Sequence, residues 1–162
     1  MKVIVTIKQV PDTNEVKLDP RTGTLIREGV PSIINPEDKN ALEEALKLKE
    51  AMGAEVVVIT MGPPQADDAL REALAMGADE AILLSDRAFA GADTWATATT
   101  VGLAIKKIGD YGLILAGRQA IDGDTAQVGP QLAEYLGVPQ ITYVSELSVT
   151  DGSVKAKRKM ED

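Results

Sequence analysis

The segment Gly117 to Pro130 reads GRQAIDGDTAQVGP and gathers the side chains best placed to do chemistry in this chain. Gly117 follows the apolar run Leu113–Ala116, and a glycine at the end of a buried strand lets backbone approach a ligand closely. Asp124, Thr125, Ala126 and Gln127 read as the start of a helix, with Asp124 as cap and Gln127 reaching back. The unpaired N–H groups at such an end attract phosphate. Arg118 adds a cation, and Gln119, Thr125 and Gln127 can donate hydrogen bonds. Asp122 and Asp124 would repel phosphate if aimed at it, so they fit better as turn and cap groups facing away. The segment is neither GxGxxG nor GxxxxGK[ST], so neither standard phosphate-loop mechanism applies. On the residues alone, a helix cap beside a turn and a nucleotide site both stay open.

Other chemistries are excluded by composition. The chain has no Cys and no His. It therefore supplies no Fe–S cluster, Cys/His zinc site, haem ligand or Ser-His-Asp machinery, and it offers no disulfide. Redox chemistry would have to come from a bound organic cofactor, and no catalytic acid, base or metal ligand is assigned. A net charge of −8 argues against nucleic acid or an anionic membrane as main partner. The basic tract Lys155, Lys157, Arg158, Lys159 is too short to reverse that and reads as a solvated strand edge. Met1–Ile7 lacks the flanks of a signal peptide and the length of a membrane span, which makes a cytoplasmic location the expectation.

The elements that must position the loop alternate between β-rich runs and helical stretches. That pattern predicts an α/β fold: a doubly wound, mostly parallel sheet with helices on both faces and an added β-hairpin. With 162 residues the chain is expected to form a single nucleotide-binding domain. Lys2–Lys8 reads as the first strand, and Val16–Val30 as a hairpin turning at Asp19–Gly23. A helix follows, with Asn35 as cap, Pro36 at its first position, Ala41, Ala45, Leu48 and Met52 as apolar stripe, and Gly53 as stop. Further strands are expected at Glu55–Met61, Ala81–Leu84, Leu113–Ala116 and Ile141–Val144. Helices are expected at Gln65–Met76, from the Asp93 cap to Ile108, and near Thr125–Leu136. If the first strand lies beside Leu113–Ala116, the loops Gln9–Pro11 and Gly117–Gly129 face one crevice, with Met61–Pro63 as a wall.

Four ordered motifs then carry a resemblance: KVIVTIKQVPD, NPEDKNALEEALKLKE, MGPPQADDALREALAMGADEA and GRQAIDGDTAQVGPQLAEYLGVPQ. Together they resemble the electron transfer flavoprotein β subunits along the whole chain. The resemblance implies an adenine-nucleotide-binding α/β domain that works beside an α-subunit partner. By position, Thr6 matches the point where the first strand approaches the nucleotide. Asn35, Pro36, Glu37 and Asp38 match the segment touching the adenosine part, and Met61 a pocket residue. Gly117, Arg118, Gln119, Ala120, Ile121, Asp122, Gly123, Asp124, Thr125, Ala126, Gln127 and Val128 match the phosphate-holding loop. Set apart from the resemblance, Asn35 reads as a helix cap and Met61 as packing.

The family has a branch whose β subunit holds AMP as a structural ligand, and another whose β subunit holds FAD and takes part in electron bifurcation. The stretch LLSDRAFAGADTWATA (Leu83–Ala98) is similar to the second. It implies that Asp93, Thr94 and Thr97 lie near a flavin, with Thr94 and Thr97 sharing one helix face; the alternative is hydroxyls bonded to nearby backbone. Trp95 and Phe89 would line the ring or a subunit interface, or simply pack. The branch further implies NADH as donor, the α-subunit flavin and a low-potential ferredoxin or flavodoxin as acceptors, and an acyl-CoA or similar dehydrogenase as partner. The family's C-terminal arm is expected to be absent, with Glu146–Met160 as the first strand of a hairpin. Two other readings are kept: an AMP-holding β subunit, and a stand-alone nucleotide-binding protein of the same fold.

Overall fold

The run KVIVT is a β-branched sequence with buried interior residues, and in the computed structural model it forms β1 (Lys2–Thr6). Residues 1–12, 21 and 31–160 are described; the hairpin expected at residues 16–30 lies, apart from Arg21, outside them. The chain continues through β2 (Gln9–Pro11), β3 (Ser32–Ile34), α1 (Pro36–Met52), β4 (Glu55–Met61), α2 (Asp67–Met76) and β5 (Glu80–Leu84). It then forms α3 (Thr94–Ile108), β6 (Leu113–Ala116), α4 (Val128–Leu136), β7 (Val144–Thr150) and β8 (Ser153–Arg158). Among the described residues no helix is long and apolar enough to cross a membrane.

The parallel sheet runs β5-β4-β1-β6. Side chains alternate across it. Val3, Val5, Val56 and Val58 pack against Leu42 and Ala45 of α1 and Leu70 and Ala73 of α2. Ile4, Val57 and Ile59 face Ala98, Val101 and Ile105 of α3 and Leu132 of α4. Both faces are thus covered, as the apolar strands required, and each fully buried aliphatic side chain contributes about 1.5–3 kcal/mol. Gly102 of α3 has no side chain where the ring of Tyr135 of α4 sits, which lets these helices pack closely.

Four expectations need correction. The buried stripe of α1 is Asp38, Leu42, Ala45 and Leu48, while Met52 is 47% exposed. A stripe begun on an acidic residue escapes apolar pattern reading, and here that acid is turned inward. Helix α4 starts at Val128 rather than near Thr125, because Asp124 and Ala126 both hold left-handed φ of 53° and break the helical path. Ile141–Val144 does not return to the sheet: Ile141 is exposed, Tyr143 is left-handed, and Val144 instead opens β7, which pairs antiparallel with β8. Glu146–Met160 therefore contains both strands of a hairpin, turning on Asp151-Gly152 with φ of 49° and 73°, the signature of a two-residue turn.

Candidate functional site

In the sheet, β1 lies between β4 and β6, so successive connections leave it in opposite directions. Thr6 pairs in register with Ala116, which brings the loops after β1 and β6 out on the same side. This is the topological switch point at which open α/β sheets bind ligands. A hollow of about 420 Å³ bounded by Met1, Lys2, Glu55, Asp110, Tyr111 and Gly112 sits at the other end of these strands. The strand order therefore points to the loops after β1 and β6 as the candidate site.

The first turn of α1 abuts the loop after β6. Asn35 is fully buried, yet its side chain makes no cap bond to its own helix. Its Nδ2 donates to the Gln119 carbonyl at 2.8 Å, and its Oδ1 accepts from the Ile121 N–H at 3.1 Å. The expected cap is thus replaced by a tie between segments far apart in sequence. One turn on, Asp38 accepts from the Lys8 N–H at 2.8 Å and from the Gly117 N–H. The volume left by the missing side chain of Gly117 is taken by Asp38, and an added Cβ would lie 2.8 Å from the Asp38 nitrogen. The close approach that Gly117 permits here is to α1. Burial pushes the Asp38 carboxyl up to about 7, opposed by the hydrogen bonds from Lys8, Asn35 and Gly117 and by the charge of Lys8.

The acidic residues of the loop are held by partners. The Lys8 ammonium lies 2.6 Å from Asp122, whose side chain is only 8% exposed. Asp124 accepts from the Gln119 side-chain amide instead of capping α4, and Gln127, at the cap position, makes no side-chain cap bond. Arg118 lies 3.4 Å from Glu37 and near the Tyr143 ring, so its charge is shared. The N–H groups of Gly123 and Asp124 turn back to the Ala120 carbonyl. Those of Thr125, Ala126, Gln127, Val128 and Gly129 meet no acceptor among the described residues. Ala126 (φ 53°) followed by Gln127 (φ −106°, ψ −30°) alternates in handedness, the geometry in which successive N–H groups converge on an anion.

The start of α3 reaches the same loop. Asp93 caps its helix by accepting from the Ala96 N–H, as the sequence predicts. Thr94 Oγ1 donates to Gln127 Oε1 at 2.9 Å. Thr97 Oγ1 donates to the Asp93 carbonyl at 2.8 Å, so one of the two hydroxyls bonds nearby backbone. Trp95 is half exposed and packs edge-on to Tyr135 at 6.4 Å; Phe89 lies in the short turn before α3.

Of the sequence-predicted residues outside the loop, Asn35, Glu37, Asp38 and Thr94 touch it, while Thr6 lies in register with Ala116 just before it. Met61 ends β4, the strand beside β1, next to Leu84 and packed against the Ile4–Val57 face. Sequence reasoning missed Lys8 as an anchor of the loop. Its signal was a cation just past a buried first strand, in line with an acid-containing loop after the neighbouring strand.

The electron transfer flavoprotein domain family matches residues 22–162. The chain is 65% identical over 162 residues to the electron transfer flavoprotein subunit beta of Clostridium acetobutylicum, covering all of this chain and 62% of that relative. It is 64% identical over 163 residues to the caffeyl-CoA reductase-Etf complex subunit CarD of Acetobacterium woodii, again covering all of this chain and 62% of the relative. It is 50% identical over 165 residues to the acryloyl-CoA reductase electron transfer subunit gamma of Anaerotignum propionicum, covering all of this chain and 61% of the relative. The chain thus spans about three fifths of the length of these curated relatives.

Proposed function

The chain belongs to the electron transfer flavoprotein family, with the β subunits, and from that premise we propose that residues 1–162 form a nucleotide-binding domain that holds FAD in the β1/β6 crevice and passes electrons within an αβ complex. The observation that carries this reading is the run of N–H groups from Thr125 to Gly129 without an acceptor among the described residues, at the start of α4 and at the switch point. These donors suit the diphosphate of a dinucleotide. Lys8 and Gln119 occupy the carboxylates of Asp122 and Asp124, which lessens the repulsion those acids would exert. Glu37 and Asp38 sit at the start of α1, so that helix end suits a neutral adenine or ribose better than phosphate.

When bound, FAD supplies the one- and two-electron redox chemistry for which this chain has no side chain of its own. The chain's residues would bind and orient it: the loop 117–128 would hold the phosphates, and Asp93, Thr94 and Thr97 at the start of α3 would contact the ring. In the full assembly the donor would be NADH or a dehydrogenase. The acceptors would be the α-subunit flavin and a low-potential carrier such as ferredoxin or flavodoxin, which is electron bifurcation. Two relatives are named as parts of caffeyl-CoA and acryloyl-CoA reductase systems, which supports an acyl-CoA-type dehydrogenase as partner.

A second reading is favoured by the internal engagement of both threonine hydroxyls: the crevice holds AMP as a structural ligand and no flavin. Cofactors extracted from the complex purified with its α-subunit partner decide between them. The FAD reading expects two flavins per αβ pair, and one flavin with one AMP would overturn it in favour of the second.

A further inference from the structure

We infer that Asn35 is a positioning residue for the nucleotide loop, acting through the backbone of Gln119 and Ile121 and not by touching the nucleotide. The inference rests on the nucleotide-binding reading above. Asn35 is fully buried, and its position at the start of a helix would ordinarily direct its oxygen to its own N–H groups. Instead the oxygen accepts from Ile121, and the amide donates to the Gln119 carbonyl and to the Asp38 carboxyl that packs against Gly117. An amide is suited to this task because it offers a donor and an acceptor side by side, matching one carbonyl and one N–H two residues apart. The backbone N–H of Asn35 donates to the Lys8 carbonyl at 2.8 Å. The Asn35 backbone is therefore tied to the segment just after β1 while its side chain reaches the loop. Through this residue the loop is set against that segment and α1 before it reaches the left-handed turn at Asp124 and the start of α4.

A direct ligand contact and a positioning role separate on a readout that needs no ligand. Amide hydrogen exchange at Ile121 in the nucleotide-free chain reports the hold of Asn35 on the loop with no ligand contribution. Titration with FAD and with AMP reports its consequence. Asn35→Ala is expected to speed Ile121 exchange at least tenfold and to weaken both nucleotides by a similar factor, about tenfold. Asn35→Ser keeps a residue favoured at helix starts but is too short to span both loop contacts, so it should show the same pair of effects with α1 exchange unchanged. It serves where the alanine variant fails to fold. Unchanged Ile121 exchange in the serine variant overturns the inference, and weakened binding alongside it assigns Asn35 to direct contact. Faster exchange with unaltered affinity overturns it too. Wild-type chain that binds neither nucleotide contradicts the nucleotide-binding reading, while the exchange comparison still decides whether Asn35 holds the loop.

Discussion

Asp38 and Gly117 share one volume: the carboxylate of the first sits where a side chain on the second would have to be, and the Gly117 N–H donates to it. The junction joins the start of α1 to the end of β6. Through it the first residue of the loop is set by the start of a helix that lies far earlier in the chain.

Gly117→Ala tests that junction. The added methyl meets Asp38 and the backbone of Glu37, and overpacking of this kind costs about 1–3 kcal/mol. Urea unfolding should show a lower midpoint with an unaltered slope. A midpoint equal to wild type would show that the junction has room to spare.

Asp38 should impose a pH dependence of known sign. Burial raises its carboxyl in the folded chain from 3.8 to about 7, so the folded state holds its proton more tightly than the unfolded state. The stability linked to this group is fully present below about pH 4 and is lost as pH rises through about 7. The loss is on the order of a few kcal/mol. The charge acting on it is that of Lys8, which opposes the rise. Asp38→Asn should flatten the wild-type decline between pH 4 and pH 7 in unfolding experiments. Parallel curves for the two proteins would refute the assignment.

Lys8→Met keeps the aliphatic stem and removes the ammonium 2.6 Å from Asp122. The half-exposed lysine and the nearly buried acid make this pair worth more than a surface bridge, about 1–2 kcal/mol. Fluorescence titration with FAD should show binding weakened by about 5- to 30-fold. Affinity equal to wild type would show that the pair does not shape the loop.

Thr94 and Gln127 join the starts of α3 and α4 through one hydrogen bond. A double-mutant cycle with Thr94→Ala and Gln127→Ala should give a coupling energy of about 0.5–1 kcal/mol in unfolding. Simple additivity would mean that the two helix starts are independent.

Much of this fold was legible in the sequence because local punctuation and tertiary packing agree. Glu55–Met61 forms the strand its β-branched run demands, and α1 begins at Pro36 and stops at Gly53 with left-handed φ of 68°. The Asp93 cap is equally local and equally plain. What escaped were features decided across long separations. Asn35 has the residue type of a cap, but the Gln119 and Ile121 backbone offers its amide two partners. Gln127 and Asp124 match a capping box in order alone; left-handed φ at Asp124 and Ala126 delays the helix. The loop's place in the fold was readable from strand alternation, whereas its anchors, Lys8 and Asp38, lie in other segments and carry no pattern of their own.

The central claim is that the N–H groups at the start of α4 hold the phosphates of a bound nucleotide. Amide hydrogen exchange of the chain with and without saturating FAD or AMP tests it most directly. The account predicts that Thr125, Ala126, Gln127, Val128 and Gly129 become protected on binding, while amides at the Asp151-Gly152 turn do not change. Tight nucleotide binding with no added protection from Thr125 to Gly129 would contradict it.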